Sequence, residues 1–138
     1  DGIRDIGVTG VQTCALPISE VAQKFSFTAH SIEGKRIVVV DDSVVRGTTL
    51  PKIVAELRRH GAAAVHVRIG SPPILFPCLY GINTPRKEEL VSANLSKAHI
   101  CTAVGADSLE FLPLEVQKQL SPDPQSFCYA CMDGQYWH

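Results

Sequence analysis

The chain has 138 residues, a formal net charge of −1 and 45% hydrophobic residues. Near-neutral charge gives no electrostatic attraction for nucleic acid or for an acidic membrane surface. The chain also lacks the run of about eighteen apolar residues that a membrane-spanning helix needs. Composition therefore favours a soluble, cytoplasmic protein with one modest hydrophobic core.

The amino-terminal segment, residues 1–19, reads differently from the rest. Its letters, D-G-I-R-D and then V-T-G-V-Q-T-C-A-L-P-I, resemble the in-frame translation of an indexed sequencing adapter. A secretory signal would need a basic start and a longer apolar core, whereas this segment starts with Asp1 and is interrupted by Gln12. We therefore expect residues 1–19 to be non-native and the native chain, an incomplete domain, to begin near Glu20.

The stretch from Ile37 to Thr49 is the most informative part of the chain and reads I-V-V-V-D-D-S-V-V-R-G-T-T. Its unbroken β-branched start predicts a strand covered on both faces, as in a parallel sheet flanked by helices. Asp41 and Asp42 follow at the carboxyl end of that strand, where ligands of open α/β sheets bind. Adjacent carboxylates repel each other, so sugar hydroxyls or a divalent cation would account for the pair.

The loop after the acidic pair suits an anion. It offers successive backbone N–H groups, hydroxyls and a flexible glycine, and leads into a helix whose positive end favours negative charge. The residues that we assign to a sugar-phosphate site are Asp41, Asp42, Ser43, Val44, Val45, Arg46, Gly47, Thr48 and Thr49. A solvated turn with a fortuitous acidic pair is the alternative interpretation. Arg46 suits a phosphate ligand and a solvated loop residue equally well.

Downstream patterns predict an α/β fold. Pro51 near a first turn and Gly61 after a basic last turn bound a helix. Residues 65–69 alternate apolar with polar side chains and predict a strand, which a right-handed crossover joins in parallel to the first. A helix over 96–104 and a short strand over 108–112 follow. On the polar face of the second strand, we expect His66 and Arg68 to have structural or interface roles.

Two proline-containing stretches interrupt this pattern. Residues 71–85 predict irregular connections, and residues 121–126 predict a mobile link to a cysteine-containing tail. The expected organisation is a non-native segment at 1–19, a partial α/β domain at 20–120 and a tail at 121–138.

Five cysteines occur, and a cytosolic protein seldom uses them for disulfides. Cys14 belongs to the adapter-like segment. Cys128 and Cys131 form a C-x-x-C pair that suits zinc, redox chemistry or no function at all. Cys101 lies on the helix predicted over 96–104 without a neighbouring ligand, so we expect it to be a small packed residue.

The acidic pair and the threonine-rich loop resemble the phosphoribosyl pyrophosphate signature of type I phosphoribosyltransferases. The order D-D-S-V-V-R-G-T-T, S-P-P-I, P-C-L-Y-G-I, E-E-L, G-A-D-S and C-Y-A-C is similar to the glutamine amidophosphoribosyltransferase family over residues 34–136. This resemblance implies a type I phosphoribosyltransferase-like parallel sheet flanked by helices, incomplete, with an irregular C-terminal tail. It also implies the conversion of phosphoribosyl pyrophosphate and glutamine-derived ammonia to 5-phosphoribosylamine and pyrophosphate in purine biosynthesis.

The resemblance also implies roles for individual residues. Asp41 and Asp42 would hold the ribose hydroxyls and share in Mg²⁺ binding, while residues 43–49 would wrap the 5′-phosphate. Three cysteines would be ligands of a [4Fe–4S] cluster with a structural or regulatory role: Cys78, Cys128 and Cys131. The fourth ligand is expected upstream, in sequence that this chain lacks. Asp107 would face the active site.

The implied partners are a glutaminase domain of the same parent chain, purine nucleotides as inhibitors, and further copies in a homotetramer. We expect this fragment by itself to be inactive, because the glutaminase half, the first sheet strands and one cluster ligand lie outside it. The alternatives are a phosphoribosyl pyrophosphate-sensing regulator, a base-salvage phosphoribosyltransferase and a small metal-binding protein. A regulator would need a DNA-binding patch that the sequence does not show, and a salvage enzyme would not account for P-C-L-Y-G and C-Y-A-C.

Overall fold

A three-stranded parallel sheet forms the centre of the molecule in a computed structural model that describes residues 32–83 and 86–137. Its strands, in spatial order, are β1 (Arg36–Asp41), β2 (Ala64–Ile69) and β3 (Ser108–Phe111). Asp41 lies opposite Ile69, and Ile69 lies opposite Phe111. The three strands therefore end at one common edge, and the predicted parallel α/β sheet is confirmed.

Five helices and two 3₁₀ turns accompany the sheet in the described part of the chain. The helices are α1 (Leu50–Arg59), α2 (Val91–Asn94), α3 (Lys97–Val104), α4 (Leu114–Gln119) and α5 (Ala130–Asp133). The 3₁₀ turns cover Lys87–Glu89 and Pro124–Ser126. The helices predicted after the loop and over 96–104 are confirmed. Gly61 and Gly105 follow them in the left-handed conformation, with φ of +83° and +77°.

The hydrophobic core lies between one face of the sheet and the helices α1 and α3. Val65 and Val67 of β2 are completely buried, and Val54 and Ile100 of the two helices are 1% and 2% exposed. Burying each such side chain contributes about 1.5–3 kcal/mol. This packing fixes α1 against the sheet and so fixes the loop that connects β1 to α1.

The opposite face of the sheet corrects one prediction. We expected β1 to be covered on both faces, but Val38 and Val40 are 59% and 75% exposed. In the register of the sheet, these residues lie opposite His66 and Arg68 of β2. The helices α1 and α3 pack on the face that carries Val65 and Val67, whereas the side chains of Val38 and Val40 on the other face are exposed.

The remaining segments agree in part with expectation. Residues 71–83 contain no helix or strand, as their prolines indicated, and residues 84–85 lie outside the described residues. The link at 121–126 contains the second 3₁₀ turn, and the tail contains the short helix α5 as well as irregular segments. No described helix has both the length and the apolar character that a bilayer crossing requires. Residues 1–19 lie outside the described residues, so the predicted domain boundaries stay predictions.

Candidate functional site

A cavity of about 340 Å³ opens at the carboxyl end of β1. A single run of consecutive residues lines it, namely Asp41, Asp42, Ser43, Val44, Val45, Arg46, Gly47, Thr48, Thr49 and Leu50. The structure thus brings all nine residues assigned to the sugar-phosphate site around one opening.

The acidic pair begins this cavity. The main-chain oxygen of Asp41 accepts a hydrogen bond from the Gly70 N–H at 2.8 Å, which holds the end of β1 against β2. The Asp42 N–H donates to Asp41 Oδ1 at 3.0 Å, and the Ser43 hydroxyl donates to Asp42 Oδ1 at 3.3 Å. Within residues 32–83 and 86–137, no group donates to the Oδ2 atom of either carboxylate. These oxygens are available to sugar hydroxyls or to a hard cation.

The backbone beyond the acidic pair is rich in donors. Among the described residues, the N–H groups of residues 44–49 donate no hydrogen bond. Thr49 occupies the N-cap position of α1 without a side-chain cap, and the first turn of α1 holds no acidic residue. In this part of the chain, the N–H groups of the loop and the positive end of α1 therefore have no negative partner, and unpaired N–H groups before a helix N-terminus suit a phosphate.

Gly47 is required by the shape of the loop. Its φ is +67°, a left-handed conformation that other residues adopt only with strain. A Cβ built at this position would lie 3.4 Å from Val91 Cγ2, at the near limit of ordinary contact. The loop backbone therefore approaches the α2 segment closely.

A second segment, residues 87–91, supports the loop from outside; we call it the support segment. The Val91 N–H donates to the Val45 oxygen at 2.9 Å. The Arg46 guanidinium donates from Nε and Nη2 to Glu89 Oε2, each at 2.8 Å. Arg46 therefore pairs with a carboxylate. We had expected it to be either a phosphate ligand or a solvated loop residue, and neither role includes this ion pair. Sequence reasoning assigned no role to Glu89, although the letters E-E-L marked its position.

Asp107 does not face the cavity, so that expectation is wrong. Its Oδ2 accepts hydrogen bonds from the Val65 N–H and from Arg58 Nη2, both at 2.6 Å. Val65 lies at the beginning of β2, whereas the loop follows the end of β1. The Val65 N–H, together with Arg58, holds the pKa of the Asp107 carboxyl below its usual value. Asp107 thus links the beginning of β2 to α1 at the opposite edge of the sheet.

His66 and Arg68 contact a side chain of the neighbouring strand. His66 Nδ1 lies 2.9 Å from Ser108 Oγ, and Arg68 Nη1 donates to the same oxygen at 3.0 Å. These contacts link β2 to β3 away from the loop. They agree with the structural role that we expected for both residues.

A second cavity, of about 380 Å³, gathers three of the four described cysteines. Its lining consists of Cys78, Tyr80, Gly81, Ile82, Cys128, Ala130, Cys131 and Tyr136. Cys101 lies elsewhere: its thiol donates to the Ala106 oxygen at 3.3 Å and packs against the hydrophobic core. This position is the small packed one that we expected for Cys101.

Main-chain contacts bring these cysteines together. The N–H groups of Leu75 and Phe76 donate to the Cys131 oxygen at 2.8 and 3.0 Å. The Tyr136 hydroxyl donates to the Pro77 oxygen at 2.6 Å. The tail is therefore attached beside Cys78 by protein groups. Sequence reasoning did not assign this role to the tyrosine.

The thiols of this cavity differ in their electrostatic environment. The N–H groups of Tyr80 and Ile82 lower the pKa of the Cys78 thiol from its usual value. Burial, and then the proximity of Cys78, raises the pKa of the Cys131 thiol. Among the described residues, no three His, Cys, Asp or Glu side chains are placed to hold a metal ion. An iron–sulfur cluster distributes its cysteine ligands over several iron atoms, so its ligands need not converge on a single point.

Comparison with known families and proteins agrees with this geometry. A family model described as the phosphoribosyl transferase domain matches residues 10–71, so its match begins inside the segment that we expected to be non-native. Amidophosphoribosyltransferase 1, chloroplastic, of Arabidopsis thaliana is 53% identical over 117 residues, which cover 84% of this chain and 21% of the relative. Amidophosphoribosyltransferase of Bacillus subtilis is 43% identical over an alignment of 139 positions, which covers 96% of this chain and 29% of the relative.

Solved structures give the same match in three dimensions. The glutamine phosphoribosylpyrophosphate amidotransferase of B. subtilis, complexed with ADP and GMP, superposes with a TM-score of 0.72 at 40% identity. That superposition covers 97% of this chain and 31% of the solved chain. A structure described as the allosteric regulatory enzyme of purine biosynthesis gives a TM-score of 0.74 at 40% identity. The chain thus spans between about a fifth and a third of the relatives it matches.

Proposed function

The chain belongs to the amidophosphoribosyltransferase family, and on this premise we propose that residues 41–49 form a phosphoribosyl pyrophosphate site. The observation that carries the proposal is the cavity at the carboxyl end of β1, which combines two carboxylates with a run of N–H groups. A sugar phosphate needs both parts. The carboxylates suit its hydroxyls, and the N–H groups at the positive end of α1 suit its phosphate.

Each part of the loop has a distinct role in this proposal. The N–H groups of residues 44–49 and the exposed hydroxyls of Thr48 and Thr49 bind the 5′-phosphate. Asp41 and Asp42 accept hydrogen bonds from the ribose hydroxyls, which fixes the sugar relative to the sheet edge. Asp41 and Asp42 would hold Mg²⁺ through their Oδ2 atoms, which are hard, negatively charged ligands, and the ion would supply positive charge to offset that of the pyrophosphate.

The reaction that these contacts serve is a substitution at C1 of the ribose. The bond from C1 to the pyrophosphate oxygen breaks, a bond from C1 to ammonia nitrogen forms, and the products are 5-phosphoribosylamine, pyrophosphate and a proton. C1 acquires oxocarbenium character between these events. The carboxylates of Asp41 and Asp42, held near the ribose, favour that positive charge, and the fixed phosphate keeps C1 in position.

Ammonia in this scheme comes from glutamine, through a glutaminase domain that acts as the partner of this segment. The names of the relatives, which include glutamine phosphoribosylpyrophosphate amidotransferase, support that partnership. The ADP and GMP in the B. subtilis structure support purine nucleotides as inhibitors of the proposed enzyme. A homotetrameric parent and a cytoplasmic location remain part of the proposal, although several plant relatives are named as chloroplastic.

We also propose a [4Fe–4S] cluster at the second cavity, held by Cys78, Cys128 and Cys131 with one further ligand. Three thiols that line one cavity suit soft iron, and the backbone N–H groups around Cys78 favour its thiolate. When bound, the cluster would supply a structural cross-link and no electrons to the reaction. Its protein ligands would then join the tail to residues 78–82.

A chimera tests the main proposal. Residues 32–137 of this chain replace the corresponding segment of the B. subtilis amidophosphoribosyltransferase, and pyrophosphate release from phosphoribosyl pyrophosphate is measured with ammonia as nucleophile. We expect turnover in the chimera and a loss of about a hundredfold or more in the double variant Asp41→Asn, Asp42→Asn, because charged groups at such sites contribute several kcal/mol. Asp123→Asn, in the tail, is the control and should leave turnover unchanged. Near-normal turnover of the double variant would contradict the proposal.

A further inference from the structure

We infer that Glu89 is a positioning residue for the phosphate loop, residues 43–49. Through Arg46, it holds this loop in the conformation that binds the ligand. The inference rests on the proposed function and assigns a task to the support segment, residues 87–91. Glu89 is not itself one of the residues that line the cavity, and among the described residues it makes no hydrogen bond to Asp41 or Asp42. Its effect on the ligand therefore passes through Arg46, which lines the cavity.

The loop and the support segment meet at three successive loop residues. The Val45 oxygen accepts from the Val91 N–H, the Arg46 guanidinium pairs with Glu89, and Gly47 lies against the Val91 side chain. The ion pair joins residues 43 positions apart in the chain, so it is a tertiary contact and not part of a local turn. Three neighbouring contacts of different kinds fix the position and the orientation of the loop backbone.

The support segment is itself fixed by burial and by hydrogen bonds, so it can restrain the loop that it contacts. Leu90 is completely buried. The side-chain amide of Asn94 donates to the main-chain oxygens of Lys87, Glu88 and Leu90, at 3.0, 3.2 and 2.8 Å. These three bonds fix the 3₁₀ turn that presents Glu89. Arg46 therefore pairs with a carboxylate that has little freedom to follow the loop.

The loop needs such external support because of its own chemistry. A phosphate cradle keeps its N–H groups pointed at the ligand, so those groups cannot stabilise the loop by internal hydrogen bonds. In the described residues, the N–H groups of 44–49 indeed donate none. Contacts through a main-chain oxygen and a side chain, on Val45 and Arg46, stabilise the loop without using those donors. Holding a site in its bound shape before the ligand arrives raises affinity.

The expected effect is modest because the ion pair is partly exposed. The Arg46 and Glu89 side chains are 47% and 36% exposed, and exposed pairs contribute little. Loss of the pair should raise the Kd for phosphoribosyl pyrophosphate by roughly two- to fivefold, which corresponds to the upper range for exposed ion pairs.

The test uses this 138-residue chain, with Glu89→Ala and the matched control Glu88→Ala in the same 3₁₀ turn. Calorimetry measures the Kd for phosphoribosyl pyrophosphate with Mg²⁺, and mass spectrometry measures the rate of tryptic cleavage after Arg46 without ligand. We expect Glu89→Ala to weaken binding and to accelerate cleavage, while Glu88→Ala changes neither. Glu89→Gln, which keeps a hydrogen-bond acceptor for Arg46, should restore part of both properties at an unchanged melting temperature.

The two measurements separate failure of the inference from failure of the proposed function. A wild-type chain that binds no phosphoribosyl pyrophosphate would overturn the proposed function, while the cleavage rates would still decide the positioning role. Equal cleavage after Arg46 in Glu89→Ala and Glu88→Ala would overturn the inference, whatever the affinity of the wild type.

Discussion

Gly47→Ala is the most direct test of the geometry of the loop. Gly47 has a φ of +67°, and its hypothetical Cβ has Val91 side-chain atoms at 3.4 to 3.5 Å. These distances are ordinary contacts, so the substitution introduces backbone strain with little steric overlap. Its result therefore reports on the left-handed conformation itself.

The magnitude follows from two opposing contributions. A left-handed conformation costs an L-residue about 1–2 kcal/mol. Alanine also restricts the unfolded chain, which returns about 0.4–1 kcal/mol. The net cost is about 1 kcal/mol, and it reduces either the free energy of unfolding or the affinity of a loop that relaxes away from the strained shape. A full transfer to affinity would raise the Kd by somewhat less than tenfold.

The chain offers a matched control for this substitution. Gly34 has a φ of +72° and nothing within 4 Å of its hypothetical Cβ, and it lies before β1, away from the cavity. Gly34→Ala should therefore carry the same strain and lower the melting temperature by several degrees without changing phosphoribosyl pyrophosphate binding. Calorimetric Kd values and thermal unfolding of both variants decide the matter. A wild-type affinity together with a wild-type melting temperature in Gly47→Ala would refute the reasoning.

Two further predictions concern the sheet and the tail. The pKa of Asp107 is lowered in the folded state, so its stabilising effect is present above the unfolded pKa of about 3.9 and is lost as the pH falls through the folded value. Asp107→Asn should therefore lower the melting temperature at pH 7. The melting temperature of the variant should also fall less than that of the wild type when the pH is lowered from 5 to 3. Identical pH profiles of the two proteins would contradict the stabilising role of Asp107. Cys131→Ser should lower the iron and sulfide content after anaerobic reconstitution, whereas Cys101→Ser should leave it unchanged. Loss of iron in the Cys101 variant alone would refute the assignment of the cysteine ligands.

Local signals predicted most of the fold. The β-branched run gave β1, and Pro51 and Gly61 bounded α1 to within about one residue because their conformational preferences act on their own positions. The alternation in residues 65–69 gave β2 for the same reason. The cavity lining also followed from local order, since its residues are consecutive in the chain.

Contacts between distant segments could not be predicted in this way. Nothing near Arg46 in the sequence indicates that Glu89 is its partner, because the fold alone brings them together. The exposure of Val38 and Val40 on β1 could not be predicted for the same reason. Hydrophobicity shows that Val38 and Val40 can be covered, but it does not show which part of the molecule covers them.

Asp107 is a different case, because its position could have been predicted. It directly precedes the strand predicted over 108–112, so a parallel sheet places it at the amino edge, opposite the edge that carries Asp41. Resemblance to a family motif led to the wrong expectation. Topology was the better guide.

The contacts that join Leu75, Phe76 and Pro77 to the tail affect the thermodynamics of any metal that the cysteines bind. About fifty residues separate Cys78 from Cys131, and closing a flexible loop of that length costs about 3.5 kcal/mol in chain entropy. Folding has already closed this loop through peptide groups and the Tyr136 hydroxyl. A cluster that binds here would therefore meet ligands at high effective concentration, and most of its binding free energy would appear as affinity for iron and not as folding of the tail.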